Sequence, residues 1–140
     1  MNICLSCSNH FSGTIQPYRA CPIKGCDGEV LSIDDDIVLV IEHLNSLGYI
    51  TRRSCAGNVD PMYFTSTYID FYDDIKFDHL PAGFSIYVFS GIDDFGDACK
   101  VTRIVKDYDP RLNSYEKQLA VWETAKDLLE WVKSLEKNNN

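Results

Sequence analysis

Along this chain the apolar positions switch between helical and strand-like spacing. Ile37, Ile41, Leu44 and Leu47 recur on one helix face, and Val38, Leu39 and Val40 widen that stripe. Ser32-Ile-Asp-Asp35 resembles a helix start with acidic residues against the dipole, and Gly48 suits the left-handed residue that closes a helix. Tyr49 to Ser54 can then extend as a strand, and Asn58 to Pro61 reads as a loop. Tyr63 to Tyr72, Phe84 to Ser90 and Lys100 to Lys106 follow as three strands of one meander, with Phe84 to Ser90 apolar enough to be central.

Asn113-Ser-Tyr-Glu116 spells a capping box. Beyond it Tyr115, Leu119, Trp122, Leu129 and Val132 mark a long helix to about Lys137, with Trp122 and Trp131 expected as core and rim packing. Short connections between successive strands favour antiparallel pairing. The expected fold class is α+β: an N-terminal zinc ribbon over residues 1–31, then a domain over residues 32–140. That domain is a two-layer sandwich, an antiparallel sheet of about four strands with two helices on one face.

The ribbon rests on cysteine spacing. Cys4-Leu-Ser-Cys7 is followed, after thirteen intervening residues, by Cys21-Pro-Ile-Lys-Gly-Cys26, two close pairs of the kind that converge on one zinc ion. Free thiols or a disulfide are the alternative. Four thiolates form a closed shell, so Zn2+ is expected to be structural and His10 is not needed. The ribbon then either stabilises a segment too small to fold alone or presents a surface to a partner.

Composition narrows the functional classes. The 140 residues are 45% hydrophobic and 24% charged, and 21 acidic against 13 basic side chains give a formal charge of -8. That balance weighs against a broad grip on extended nucleic acid, which needs clustered Lys and Arg. Met1-Asn-Ile-Cys4 leaves no room for a secretory leader, and no apolar run approaches the ~20 residues that span a bilayer. A soluble, cytoplasmic chain is therefore expected, with six cysteines favouring metal ligation over disulfides.

The candidate ligand-binding stretch runs Arg52-Arg53-Ser54-Cys55-Ala56-Gly57-Asn58. Its small residues allow close approach to the backbone, whose N–H groups suit an anion. Strand alternation sends Arg52 and Arg53 to opposite faces, so one flanks the turn. Tyr68, with Tyr63, Tyr72 and Tyr87, offers stacking faces. Cys55 lacks a local catalytic signature, Cys99 reads as core, His43 as a partly exposed helix residue, and Asp93, Asp94 and Asp97 as a solvated acidic turn. The expected function is non-enzymatic binding of a small anionic or nucleotide-like ligand. The alternatives are a protein-interaction module or inhibitor, and a nucleotide- or RNA-modifying enzyme.

The cysteine pairs together with Leu44-Asn45, Gly48-Tyr49, Thr51 and Ser54-Cys55-Ala56-Gly57 resemble a group of small uncharacterised zinc-ribbon proteins of Gram-positive bacteria and their phages. The resemblance covers roughly residues 4 to 72. In that group the turn reads Cys-Ser-Gly-His and precedes a Tyr-Ile-x-Phe strand, here Tyr68-Ile69-Asp70-Phe71. This chain has Ala56 for the serine and Asn58 for the histidine, so nothing that depends on that histidine carries over. The resemblance implies a bacterial cytoplasm, or a host's if the chain is phage-encoded, where sequestering a host signalling nucleotide would be a natural use. Ser54 to Gly57 is also similar to the Ser-Cys-Ser-Gly turn of the tRNA wybutosine-synthesis methyltransferases.

Overall fold

A computed structural model describes residues 1–11, 19–57, 66–93 and 95–138. Asn58, Asp94 and residues 63–65 at the head of the strand expected from Tyr63 lie outside them. The fold is α+β, with two antiparallel four-stranded sheets and two α-helices among the described residues.

The first sheet is made of fragments: β1 (Asn2–Cys4), β2 (His10–Phe11), β3 (Arg19–Ala20) and β4 (Glu29–Ser32), in the order β2-β1-β4-β3. Strands of two to four residues have little pairing energy of their own. Their register sets Ile3 opposite Leu31 and Cys4 opposite Val30. Ile3 and Val30 are fully buried, and Ile3 belongs to the same apolar cluster as the helices and the second sheet.

A 3-10 turn (Asp35–Ile37) leads into α1 (Val38–Ser46). Asp34 does not cap this helix with its side chain, because its carboxylate accepts the Ala56 N–H at 2.8 Å. The helix therefore starts later than Ser32-Ile-Asp-Asp35 predicts. Its end follows expectation: Gly48 has φ +94° and the Tyr49 N–H returns to the Leu44 carbonyl at 2.9 Å. Asn45 ties the helix to β5 (Thr51–Cys55), donating to Thr51 Oγ1 at 2.9 Å and accepting the Thr51 N–H at 3.2 Å.

The second sheet adds β6 (Thr67–Tyr72), β7 (Ser85–Ile92) and β8 (Ala98–Lys106), in the order β5-β6-β8-β7. This corrects the expected meander. β6 pairs with β8, and β7 is an edge strand instead of a central one. The connection from Asp73 to Phe84 is the reason. Its Ile75, Phe77, Leu80 and Phe84 pack against the core, so it travels across the sheet instead of closing a hairpin.

The register puts Ile69 opposite Ile104 and Phe71 opposite Thr102, on the face covered by the helices. Tyr68, Asp70 and Tyr72 alternate to the open face. α2 (Ser114–Asn138) begins with the predicted capping box, Glu116 N–H to Asn113 Oδ1 at 2.8 Å and Asn113 N–H to Glu116 Oε1 at 3.2 Å. Its buried stripe is Lys117, Val121, Thr124, Leu128, Trp131, Val132 and Leu135. Of the residues read as its apolar stripe, Val132 is buried and Leu129 packs against the core, whereas Tyr115, Leu119 and Trp122 turn away from it, leaving Trp122 55% exposed. Trp131 is buried, donates from Nε1 to the His79 carbonyl at 2.9 Å and meets the Phe77 ring edge-on at 5.1 Å between centroids. Cys99 is half-buried opposite Gly91, not a core residue.

Two substitutions separate these roles. Phe71→Ala, in the centre of the sandwich, is expected to cost about 3–5 kcal/mol of unfolding free energy. Trp122→Ala should cost less than about 1 kcal/mol. Urea unfolding of both variants checks the assignment, and equal losses would contradict it.

Candidate metal centre and ligand cleft

Cys4 ends β1, and the chain turns back at once: Ser8 N–H bonds the Cys4 carbonyl at 2.7 Å, with Ser8 at φ 61°. Cys7 rides on that turn. Cys21 follows β3, its N–H bonded to the Gly28 carbonyl at 2.8 Å, and Cys26 closes the second knuckle with its N–H on the Ile23 carbonyl at 3.0 Å. The four Sγ atoms lie within 4.8 Å of one another, with Cys4–Cys26 and Cys7–Cys21 both at 3.7 Å. Four thiolates on a tetrahedral zinc would stand about 3.8 Å apart. A disulfide needs about 2.05 Å, so this spacing suits a ligand shell and not a cross-link. The cluster can hold a metal ion.

The surroundings are built for that shell. Asn9 Nδ2 donates to Cys7 Sγ at 3.2 Å, and this hydrogen bond lowers the Cys7 thiol to about 6. Burial pushes Cys21 up to about 12, an opposition that a metal resolves by displacing the protons. The Gly28 N–H points to Cys26 Sγ at 3.4 Å. A Cβ on Gly28 would lie 2.6 Å from Cys4 Sγ and from Ser6 Oγ, so only glycine fits there. His10 stands apart, with Nε2 on Glu42 Oε1 at 2.7 Å, and this bond links the first sheet to α1.

The turn after β5 differs from the site its sequence predicts. Its backbone donors are already used: Ala56 N–H by Asp34, and Gly57 N–H by Cys55 Sγ at 3.4 Å. Asp34, Asp35 and Asp36 line the same depression as Cys55, Ala56 and Gly57, which disfavours an anion. Gly57, at φ +104°, is required by packing, since a Cβ would come within 3.1 Å of Val121 and 3.2 Å of Thr67.

The arginines gather elsewhere. The register of β5 slips between Thr51 and Arg53, a bulge that breaks strand alternation. Arg52 and Arg53 consequently line the same cleft instead of opposite faces. The cleft measures about 540 Å³ and lies between the first sheet, through Leu5, Glu29 and Leu31, and the α1–β5 corner, through Asn45 and Ile50. A recess of about 250 Å³ continues past Arg53 to Ser54 and Tyr68. Arg52 donates to the Ile92 carbonyl at 3.0 Å, whereas Arg53 is exposed and has no hydrogen-bond or ion-pair partner among the described residues.

Tyr68 is engaged on the open face. The Arg103 guanidinium lies 4.2 Å from its ring centroid and grips the fully buried Asp70 carboxylate through Nε at 2.6 Å and Nη2 at 2.8 Å. That fork raises Arg103 above its ordinary pKa, and burial raises the Tyr68 hydroxyl. Sequence reasoning missed this pair. Its signal was a lone charge inside each of two apolar strands, Tyr68–Phe71 and Val101–Val105.

Compared with models of protein families, with curated proteins and with solved structures, the chain has no significant match in any of the three. Among the described residues no helix is long and apolar enough to cross a membrane.

Gly28→Ala tests the metal shell. It should weaken zinc affinity about tenfold or more, measured by competition with a chromophoric chelator. Native mass spectrometry of the unmodified chain should show one metal ion. Unchanged affinity in the variant would refute the close approach at Gly28.

Proposed function

We propose that this chain is a binding protein whose thiolate cluster carries a structural zinc, and whose cleft beside β5 takes a small anionic or nucleotide-like ligand. The donor set supports zinc: four soft thiolates at tetrahedral spacing leave no open position for a water or a substrate. Zinc here would hold backbone together instead of activating anything.

The observation that carries the ligand reading is Arg53, a guanidinium without a hydrogen-bond or ion-pair partner among the described residues, on a concave cleft of about 540 Å³. Clefts of that size suit small organic ligands, and a planar fork of donors suits a carboxylate or phosphate. Arg52 stands beside it, Leu5, Leu31 and Ile50 supply apolar wall, and Glu29 at the rim disfavours a second negative charge there. The ligand position we propose therefore moves from the Ser54–Asn58 turn, whose Asn58 lies outside the described residues, to the groove before it, with Arg52, Arg53, Ser54 and Tyr68 retained. Cys55 receives a hydrogen bond from Gly57, while His10 and His79 are bonded to Glu42 and Ser134. These contacts favour binding over chemistry.

Thermal shift of the zinc-loaded chain against nucleoside mono-, di- and triphosphates and cyclic nucleotides tests this reading. At least one should raise Tm, and Arg53→Ala should weaken it by about tenfold in Kd, the scale of one charge-assisted hydrogen bond. Absence of any shift, or equal affinity in Arg53→Ala, would sink the proposal.

A further inference from the structure

β7 is the outermost strand of its sheet, and the helical layer does not reach it. None of its eight residues is buried. Ile86 and Val88 project on the helix side and Tyr87 on the open side, with exposures of 39%, 43% and 46%; Ile92 reaches 61% and Phe95, at the hairpin tip, 90%. An edge strand with free N–H and C=O groups is a template for another strand, and proteins usually guard it with charge, proline or a bulge. β7 has none of these along its length, and among the described residues only its last carbonyl, of Ile92, is engaged by a charged side chain, Arg52 at 3.0 Å. Ser85-Ile-Tyr-Val-Phe-Ser-Gly-Ile92 is uncharged, lacks proline and pairs with β8 over eight consecutive positions without a slip.

We infer that β7 pairs antiparallel with β7 of a second copy, joining two four-stranded sheets into one of eight across a two-fold axis. Charge selects this occupant. The whole chain carries -8, yet the edge itself is neutral, so two acidic copies can meet there without like charges directly opposed. The ends of the strand differ in net sign, because Asp93 and Asp97 at its close outnumber the one guanidinium there, Arg52 on the Ile92 carbonyl at 3.0 Å. Lys106 lies against Gly83 beside the start of β7, and Asp93 follows its last residue. Antiparallel pairing brings Asp93 of each copy toward Lys106 of the other, twice, whereas parallel pairing would oppose like ends.

Side chains agree with the same arrangement. Tyr87 and Phe89 share the open face, 6.0 Å between centroids. A register centred on Val88 sets Tyr87 of one copy opposite Phe89 of the other, again twice, the kind of aromatic cross-strand pair that stabilises sheets. Eight residues and a hairpin tip per copy make a small interface, so the affinity belongs in the micromolar range.

Sedimentation velocity of the full zinc-loaded chain, from micromolar to hundreds of micromolar, should show a dimer whose fraction grows with concentration. Val88→Lys should weaken it at least about tenfold, by charging the neutral edge, with an unchanged circular dichroism spectrum. Hydrogen exchange supplies a second readout that needs no variant: β7 amides should gain protection in the dimer and lose it on dilution. Asp93→Asn, which keeps the turn's acceptor, and Lys106→Met should each weaken the dimer, and the double variant should be no weaker than either. A monomer throughout, a Val88→Lys dimer of unchanged affinity, unprotected β7 amides, or additive losses in the double variant would overturn the proposal.

Discussion

The structure depends on closing a sheet that cannot close itself. β1 to β4 are two to four residues long, too short to persist by pairing alone. Four thiols within 4.8 Å of one another join the two knuckles, and a bound metal would convert that proximity into a fixed cross-link. The consequence reaches beyond the ribbon. β1 delivers Ile3 to the main core, and Leu5 and Leu31 form one wall of the cleft that Arg52 and Arg53 line. Core, cleft and thiol cluster are thus coupled through the paired short strands β1 and β4 and the turn after β1.

The second sheet uses its two faces differently. One is sealed by α1 and α2 around Ile69, Phe71 and Ile104. The other holds a buried carboxylate, Asp70, matched by the two-pronged Arg103 that stacks on Tyr68 and Phe89. An isolated buried charge is costly, so this pair constrains the register of β6 against β8. The edge strand β7 meets this pair through Tyr87 and Phe89 but carries no charged side chain of its own.

Features encoded within a few residues were legible in the sequence. The cysteine spacing, the Gly48 helix stop and the Asn113–Glu116 capping box are set by local geometry and appear where expected. What depended on packing between distant segments was not. β7 looked central because apolar content cannot distinguish a covered strand from an exposed edge. Only the second half of the α2 stripe is legible: Leu129 and Val132 face the core, while Tyr115, Leu119 and Trp122 share helical spacing without doing so. At the site, Arg52 and Arg53 were identified as the cationic pair, but a bulge, invisible in composition, placed them in one cleft. Asp34, far away in sequence, took the turn's donor and surrounded it with acid.

The central claim is that a metal bound at the thiol cluster would hold the first sheet and so shape the cleft, and amide NMR of the zinc-loaded chain under chelator titration tests it most directly. Removing the metal should shift or broaden the signals of Leu5, Leu31, Arg52 and Arg53 together with those of the cysteine knuckles, while amides in the second half of α2 persist. Cleft signals that stay in place after the knuckles have lost their metal would contradict the account.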